Sequence, residues 1–354
     1  MSQVFTGNIF IFHAFDVGDD IDLEQIKAGH LLSRRVIAQP KYFKNYHIPL
    51  GVELPQGQQS PRCESARLHN FGVISLRYKV PFSFTLDELR GQINSIEDSF
   101  HDQSVSDAGS IFKRIKSAIK KPRFFHLRKS FVVIQVNPEK SIKDPIMLKE
   151  MYGSNIASIL RFETETLSEV QKNEIMEIAI GYYRGDLIIV DTDAAFIYDD
   201  EYDDILDLFE FANIQQLELH YFDRVLDQRL NMVYEREINM MPLMMYVPLW
   251  GTLMSDPVGD LGKLRVDISV IIERLENSVK LSGEPYYSEI YSLLVDKLDL
   301  KRWKESIDKK LDIVSDVSSF YHNKADMVRQ DLFSLLIIIL IFLEFIVGIL
   351  HYFK

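Results

Sequence analysis

The sequence predicts an α+β protein in three parts. These are an N-terminal mixed α/β domain, a long helical stalk with coiled-coil character, and a single C-terminal transmembrane helix. Three observations carry this prediction. Over residues 1–200, β-rich runs alternate with amphipathic stretches. Over 201–237 there is no proline or glycine, and apolar residues recur at helical spacing. Residues 332–350 read LFSLLIIILIFLEFIVGIL, with Glu344 as the single ionisable side chain. The expected boundaries are therefore 1–200, 201–331, 332–350 and a short tail, 351–354. Composition fits a folded chain. Of 354 residues, 47% are hydrophobic and 26% charged, which excludes wholesale disorder. One cysteine, Cys63, excludes an intrachain disulfide framework and any multi-cysteine metal site. A net charge of −12 argues against broad, unspecific nucleic-acid binding.

The N-terminal elements follow in order. NIFIFHAF (8–15) is β-rich and predicts a strand. Asp22 is placed to cap a helix that begins in IDLEQIK. Residues 39–66 carry four prolines, and PQGQQSPRCESA (55–66) predicts an exposed loop. LHNFGVISLRYKV (68–80) predicts a second strand, and FTLDELRGQINSIEDSF (84–100) a helix. SFVVIQV (130–136) predicts another strand, and 180–200 two more joined by a turn at Asp191–Asp193. This mixture is consistent with ferredoxin-like units.

Beyond residue 200 the pattern is helical. Ile205, Phe209, Ala212, Leu219, Phe222, Leu226, Leu230 and Val233 fall on one face of a long helix. Pro242 and Pro248 break the chain after it, and Met240, Met241, Met244 and Met245 cluster there as an apolar filler. A second helix is expected over about 261–281, ending at Gly283–Pro285, and a third from about Tyr287 onward. From Leu300 that helix continues through Trp303, Ile307, Val314, Val317 and Tyr321, close to coiled-coil a and d positions. Lys310 and Lys324 stand at d positions and make the seam imperfect.

At 1.5 Å per residue, 332–350 forms a helix of about 28 Å, matching a bilayer's hydrocarbon core. Only His351, Tyr352, Phe353 and Lys354 follow, which reads as a tail anchor. Lys309, Lys310, Lys324 and Arg329 precede the span, so the bulk of the chain is expected on the cytoplasmic, or mitochondrial matrix, side. The first basic residue is Lys27, so the N-terminus reads as neither a secretory signal nor a transit peptide. A charge near mid-membrane costs about 3 kcal/mol, a cost relieved by protonation or by a partner. Ser334, Ile337, Ile341, Glu344 and Gly348 share one stripe whose small ends permit close helix approach. Ser334, Ile341, Glu344 and Gly348 are thus the expected intramembrane contact.

Motifs for chemistry are sparse. The chain has no HExxH, GxGxxG, Walker-type loop or GxSxG. No catalytic residue, metal site or cofactor is assigned, and Cys63 reads as a free exposed thiol. The acidic run from Asp199 to Asp207 reads as the negative first turn of the long helix. The run 113–129 holds Lys113, Arg114, Lys116, Lys120, Lys121, Arg123, Arg128 and Lys129 beside an apolar helical face. It is either a solvated face or a surface for anionic lipid or RNA.

The C-terminal stretch resembles the end of the required-for-meiotic-nuclear-division family, which carries domain of unknown function 155. Lys301–Arg302–Trp303, Ile307–Asp308, Lys310–Leu311, Ile337–Ile341 and Glu344 match its helix, coiled coil and final span, chiefly over 285–350. FGVISLRYKVPF (71–82) resembles its N-terminal strand, although Arg77 stands where an aromatic is common. The resemblance implies a membrane-anchored, self-associating α+β protein without established catalysis. Mitochondrial members support organellar translation, with ribosome tethering as the implied role.

The expected function is a homo-oligomeric scaffold at a lipid bilayer that holds a cytoplasmic partner. A membrane-associated RNA or ribosome tether using the 113–129 face is the alternative, and a membrane-associated enzyme with an unrecognised site is a third reading.

Overall fold

The computed structural model describes residues 3–36, 43–44, 48–55, 62–124, 128–139, 142, 144–177, 179–181, 185–235, 257–278, 280–281 and 285–352. In chain order the elements are β1 (Phe5–Asp16), β2 (Asp20–Ile21), α1 (Leu23–Ala28), β3 (Phe43–Lys44), β4 (Leu50–Val52), β5 (Cys63–His69) and β6 (Val73–Phe84). Then come α2 (Leu86–Asp98), α3 (His101–Ile115), β7 (Ile119–Lys120), β8 (Arg128–Val136), α4 (Pro145–Leu160) and α5 (Glu169–Met176). The remainder are β9 (Ala179–Ile180), β10 (Leu187–Val190), β11 (Ala194–Tyr198), α6 (Asp203–Glu235), α7 (Pro257–Ser278), β12 (Lys280–Leu281), α8 (Pro285–Lys297) and α9 (Leu300–Tyr352). The α+β class with its long final helix is as the sequence predicts. The chain forms two compact units. One comprises 1–220 with 272–303, and the other 221–271 with 304–354.

The first unit is built on an eight-stranded sheet in the order β4-β5-β6-β1-β8-β11-β10-β9. β1 lies inside it, antiparallel to β6 along its whole length and to β8 from Gly7 to Phe15. β11 runs parallel to β8. This is larger than a four-stranded ferredoxin-like unit, and β1 has antiparallel neighbours on both sides. β1 is apolar on both faces because both are covered. Ile9, Ile11 and Phe15 join Leu76, Val132, Ile134 and Phe196 in one core with residues of α2, α3, α4 and α5. On the opposite face Phe10 meets Tyr202 at 5.4 Å and Phe131 stacks on Phe209 of α6 at 5.5 Å between ring centres.

Local sequence explains the element ends. Asp22 caps α1, its Oδ1 accepting from the Gln25 amide at 2.8 Å. Thr85 and Glu88 form a reciprocal capping box at the start of α2. Asp144 caps α4, with Pro145 at its first position. The single strand expected over 68–80 is instead the end of β5, a turn, and β6. Gly72 makes the turn with φ +97, and a Cβ there would lie 1.8 Å from the Gly18 carbonyl oxygen. The helix expected from Tyr287 into the seam is likewise divided into α8 and α9, because Asp299 takes φ +54. The methionine cluster at 240–245 lies outside the described residues.

In the second unit, the seam of α9 is closed within its own chain. Lys310 Nζ pairs with Asp223 at 2.6 Å and Asp227 at 2.7 Å, both on α6. Ser306 Oγ donates to Asp223 at 2.9 Å, and Arg265 of α7 donates to Ser315 at 2.7 Å. Ile307 and Val314 are fully buried and Tyr321 is nearly so, while Val317 is half-buried. The lysine that spoils the predicted seam thus has two carboxylate partners on the neighbouring helix. The two seam positions belonging to the first unit are also covered. Leu300 is buried, and Trp303 is half-buried against the His220 ring at 4.0 Å.

Candidate functional site

The basic run 113–129 is not one helical face. α3 ends at Ile115, a 3-10 turn follows, Lys120 lies in β7, Lys121 and Arg123 lie after it, and Arg128 and Lys129 open β8. Lys113, Lys116 and Lys120 are exposed. Arg123 turns inward. Its Nε and Nη2 bind the buried Asp16 carboxylate at 2.8 and 3.0 Å, and Nη1 binds Asp19. Lys121 pairs with Asp19 at 2.8 Å, Lys129 with Asp193 at 3.0 Å, and Arg128 with His101. Partners far away in sequence, acidic for Lys121, Arg123 and Lys129, claim these cations, which is why a linear reading groups them. The acidic run is divided in the same way. Asp203 and Asp204 open α6, but Asp207 is mostly covered and pairs with Arg67 at 2.7 Å. Glu210 joins them at 3.1 Å from Arg67 and accepts from Ser75 Oγ at 2.6 Å.

Beneath α3, on the other face of the sheet, lies a second polar group. Tyr78 Oη donates to Asp107 at 2.8 Å, and Gln103 Nε2 donates to the other carboxylate oxygen at 2.8 Å. Burial raises the Asp107 carboxyl above the ordinary carboxylate range, against the pull of these two bonds. It also raises the Tyr78 phenol, helped by Asp107. His13 is fully buried, with ring centres 6.0 Å from Tyr78 and 6.2 Å from His101. Neither of its ring nitrogens has a hydrogen-bond partner among the described residues. Burial, then Arg128 and His101, push its pKa down to about 3, so the ring is neutral.

Glu97, Asp98 and His101 bring one ligand atom each within 4.8 Å of one another. The surroundings oppose a metal there. Arginine offers only donors, so His101 Nδ1 accepts from Arg128. The ring proton then lies on Nε2, facing Glu97 Oε1 at 3.4 Å. A metal-binding histidine needs one unprotonated ring nitrogen left for the ion, and here Nδ1 is taken by Arg128, whose positive charge also stands beside the group.

Beside this group is a cleft of about 480 Å³. Its floor comes from β5, one wall from β4 and the residues after it, and another from 30–35. The wall is held by backbone bonds from Arg35 N to Gly51 O and Glu53 N to Ser33 O, both 2.9 Å. Arg35 and Arg114 supply positive charge, and Glu53 is the acid in the lining. Cys63 lies here half-buried, not on an exposed loop. Burial, with Asp107 nearby, pushes its thiol up to about 12, which removes the thiolate a nucleophile would need. The sequence reading missed this cleft, because its walls come from four separate stretches of chain.

α9 is the one described helix long and apolar enough to cross a membrane. Every residue from 333 to 351 is exposed, including Ser334, Ile341, Glu344 and Gly348.

Comparison with known proteins finds a family model, "Uncharacterized protein MJ0711, N-terminal domain", over residues 6–204. The chain is 26% identical over 208 residues to "Uncharacterized protein MJ0711" of Methanocaldococcus jannaschii, covering 58% of this chain and 62% of that relative. The chain thus spans less than two thirds of the relative's length. No solved structure matches. The family found is not the required-for-meiotic-nuclear-division family. That resemblance rested on a charged amphipathic helix leading into an apolar run, a composition that any stalk ahead of a span will share. The matched segment is instead the sheet unit, and by that match the chain belongs to the MJ0711 N-terminal domain family.

Proposed function

We propose that this protein is a membrane-held binding protein, in which residues 332–350 anchor the sheet unit at a bilayer surface as a tether for a partner. The observation that carries this reading is the exposure of 333–351 on every side. A helix apolar all round is stable when lipid or protein covers it. The cations at Lys324 and Arg329 favour placing the sheet unit on the cytoplasmic side. Self-association, in this reading, falls to the stripe of Ser334, Ile341, Glu344 and Gly348. The a/d seam is already used within the chain, which speaks against the stalk as the oligomeric contact.

Flotation with phosphatidylcholine vesicles tests the anchor. The full chain is expected to float and to resist carbonate extraction. A chain truncated after Asp331 should stay in the dense fraction, with its circular dichroism showing that it is folded. A full chain that remains soluble without detergent, or a truncated one that still floats, would overturn the proposal.

A further inference from the structure

We infer that the cleft beside α3 binds a small organic anion, a molecule with one carboxylate or phosphate and an apolar body. This stands whether or not α9 enters a bilayer. Three observations converge on it. The volume, about 480 Å³, suits a small-molecule site. The lining divides into the two parts such a ligand needs. Leu31, Leu32, Val52, Leu54 and Ala66 give apolar surface, and Arg35 and Arg114 give guanidinium groups. A planar guanidinium matches a carboxylate or phosphate with paired N–H donors. Third, the lining holds polar groups whose bonding capacity the described protein leaves unused. Ser65 Oγ is buried with no hydrogen-bond partner among the described residues. Arg35 Nη1 is held by the Glu64 carbonyl, which orients its other donors.

The two cations come from separate elements. Arg35 follows the segment laid against β4, and Arg114 sits in the last turn of α3. Arg114 is exposed and has no ion-pair partner among the described residues. By contrast, Arg67, Arg77, Arg123 and Arg161 of this unit are paired with carboxylates. Glu53 adds specificity, since it would repel a second anionic group and accept a bond from a ligand hydroxyl or amine. Cys63 contributes shape alone, because its thiol stays protonated.

The test is isothermal titration of the full chain in dodecyl maltoside with phenyl phosphate and benzoate, with phenol as the uncharged control. Saturable binding of at least one anion, absent for phenol, is expected. Arg114→Ala should weaken it about tenfold, the loss of one charge-assisted contact. Leu54→Trp, which fills the cleft and spares both arginines, should abolish it. Since Arg35→Ala removes a bond that holds the wall, Arg114→Ala is the decisive charge variant. Displacement by dihexanoyl phosphatidic acid below the phenyl phosphate concentration would identify a lipid headgroup as the source. Failure of that lipid to compete would identify a soluble anion. Both results support the site. Absence of saturable binding by either anion would overturn it, as would binding unchanged in Arg114→Ala and Leu54→Trp.

Discussion

His13 is held neutral in a place where a charged imidazole has no partner. Its pKa is pushed from 6.5 to about 3 by burial first and by Arg128 second. The sign of the pH effect follows. Below pH 6.5 the unfolded chain takes up a proton that the folded chain refuses, so stability falls as pH drops towards 3. His69, buried on the opposite face and pushed down to about 4 by burial, acts in the same direction. One such group contributes about 1.4 kcal/mol per pH unit inside its window. His13→Leu should therefore flatten the acid dependence by about that slope between pH 6 and 4. Hydrogen exchange of the slowest β1 amides measures it, and an unchanged slope would place the acid sensitivity elsewhere. Little of this is legible in sequence. A histidine within a β-rich run has no visible environment, and Cys63, in a Pro/Ser stretch, reads as exposed until Asp107 and Tyr78 are found around it. Where a residue's role is local, as with Asp22 capping α1, the sequence suffices.

At the scale of elements, α9 shows how a flawed heptad can be a completed contact. Lys310 interrupts the apolar seam, yet Asp223 and Asp227 meet it from α6. Lys310→Met makes the heptad more regular and leaves Asp223, mostly covered, without its cation. The expected cost is about 1–3 kcal/mol, by analogy with losing a charged hydrogen bond. Adding Asp223→Leu should recover much of it, because both charges are then gone. Thermal melts of the pair measure the coupling. A single Lys310→Met variant as stable as the parent would show that these bonds contribute nothing net. Strands and helices with local signals, such as β1, α2, β8 and α6, were legible from periodicity. The turn at Gly72 was not, because Phe71 between Asn70 and Gly72 makes the apolar run look continuous even though both are turn formers. Asp299 hid in the same way, inside an unbroken helical pattern.

For the whole molecule, the division of labour between chains is at issue. Among the described residues, Ile307, Val314 and Tyr321 of the predicted a/d seam are covered by their own chain and are not left for a second copy. The chain truncated after Asp331 should sediment as a monomer at every concentration. A dimer that strengthens with concentration would mean that the seam opens and exchanges between chains. The fold class could be read from the order of apolar runs. The cleft could not, since residues 30–35, 52–55, 63–66 and 114 share no pattern until the sheet gathers them.

The position of β1 carries one more consequence, concerning the order of synthesis. This strand carries Phe5, Phe10, Phe12 and Phe15 and is made before both of its neighbours, which come much later. β6 starts at Val73 and β8 at Arg128. Until they emerge, a strand apolar on both faces has nothing to pair with, a state prone to wrong partners. Folding is thereby committed to long-range closure, which is slow. Deleting Phe5–Asp16 would not trim an edge. It would separate β4-β5-β6 from β8-β11-β10-β9 and leave two half-sheets, each with a raw margin where the other used to be.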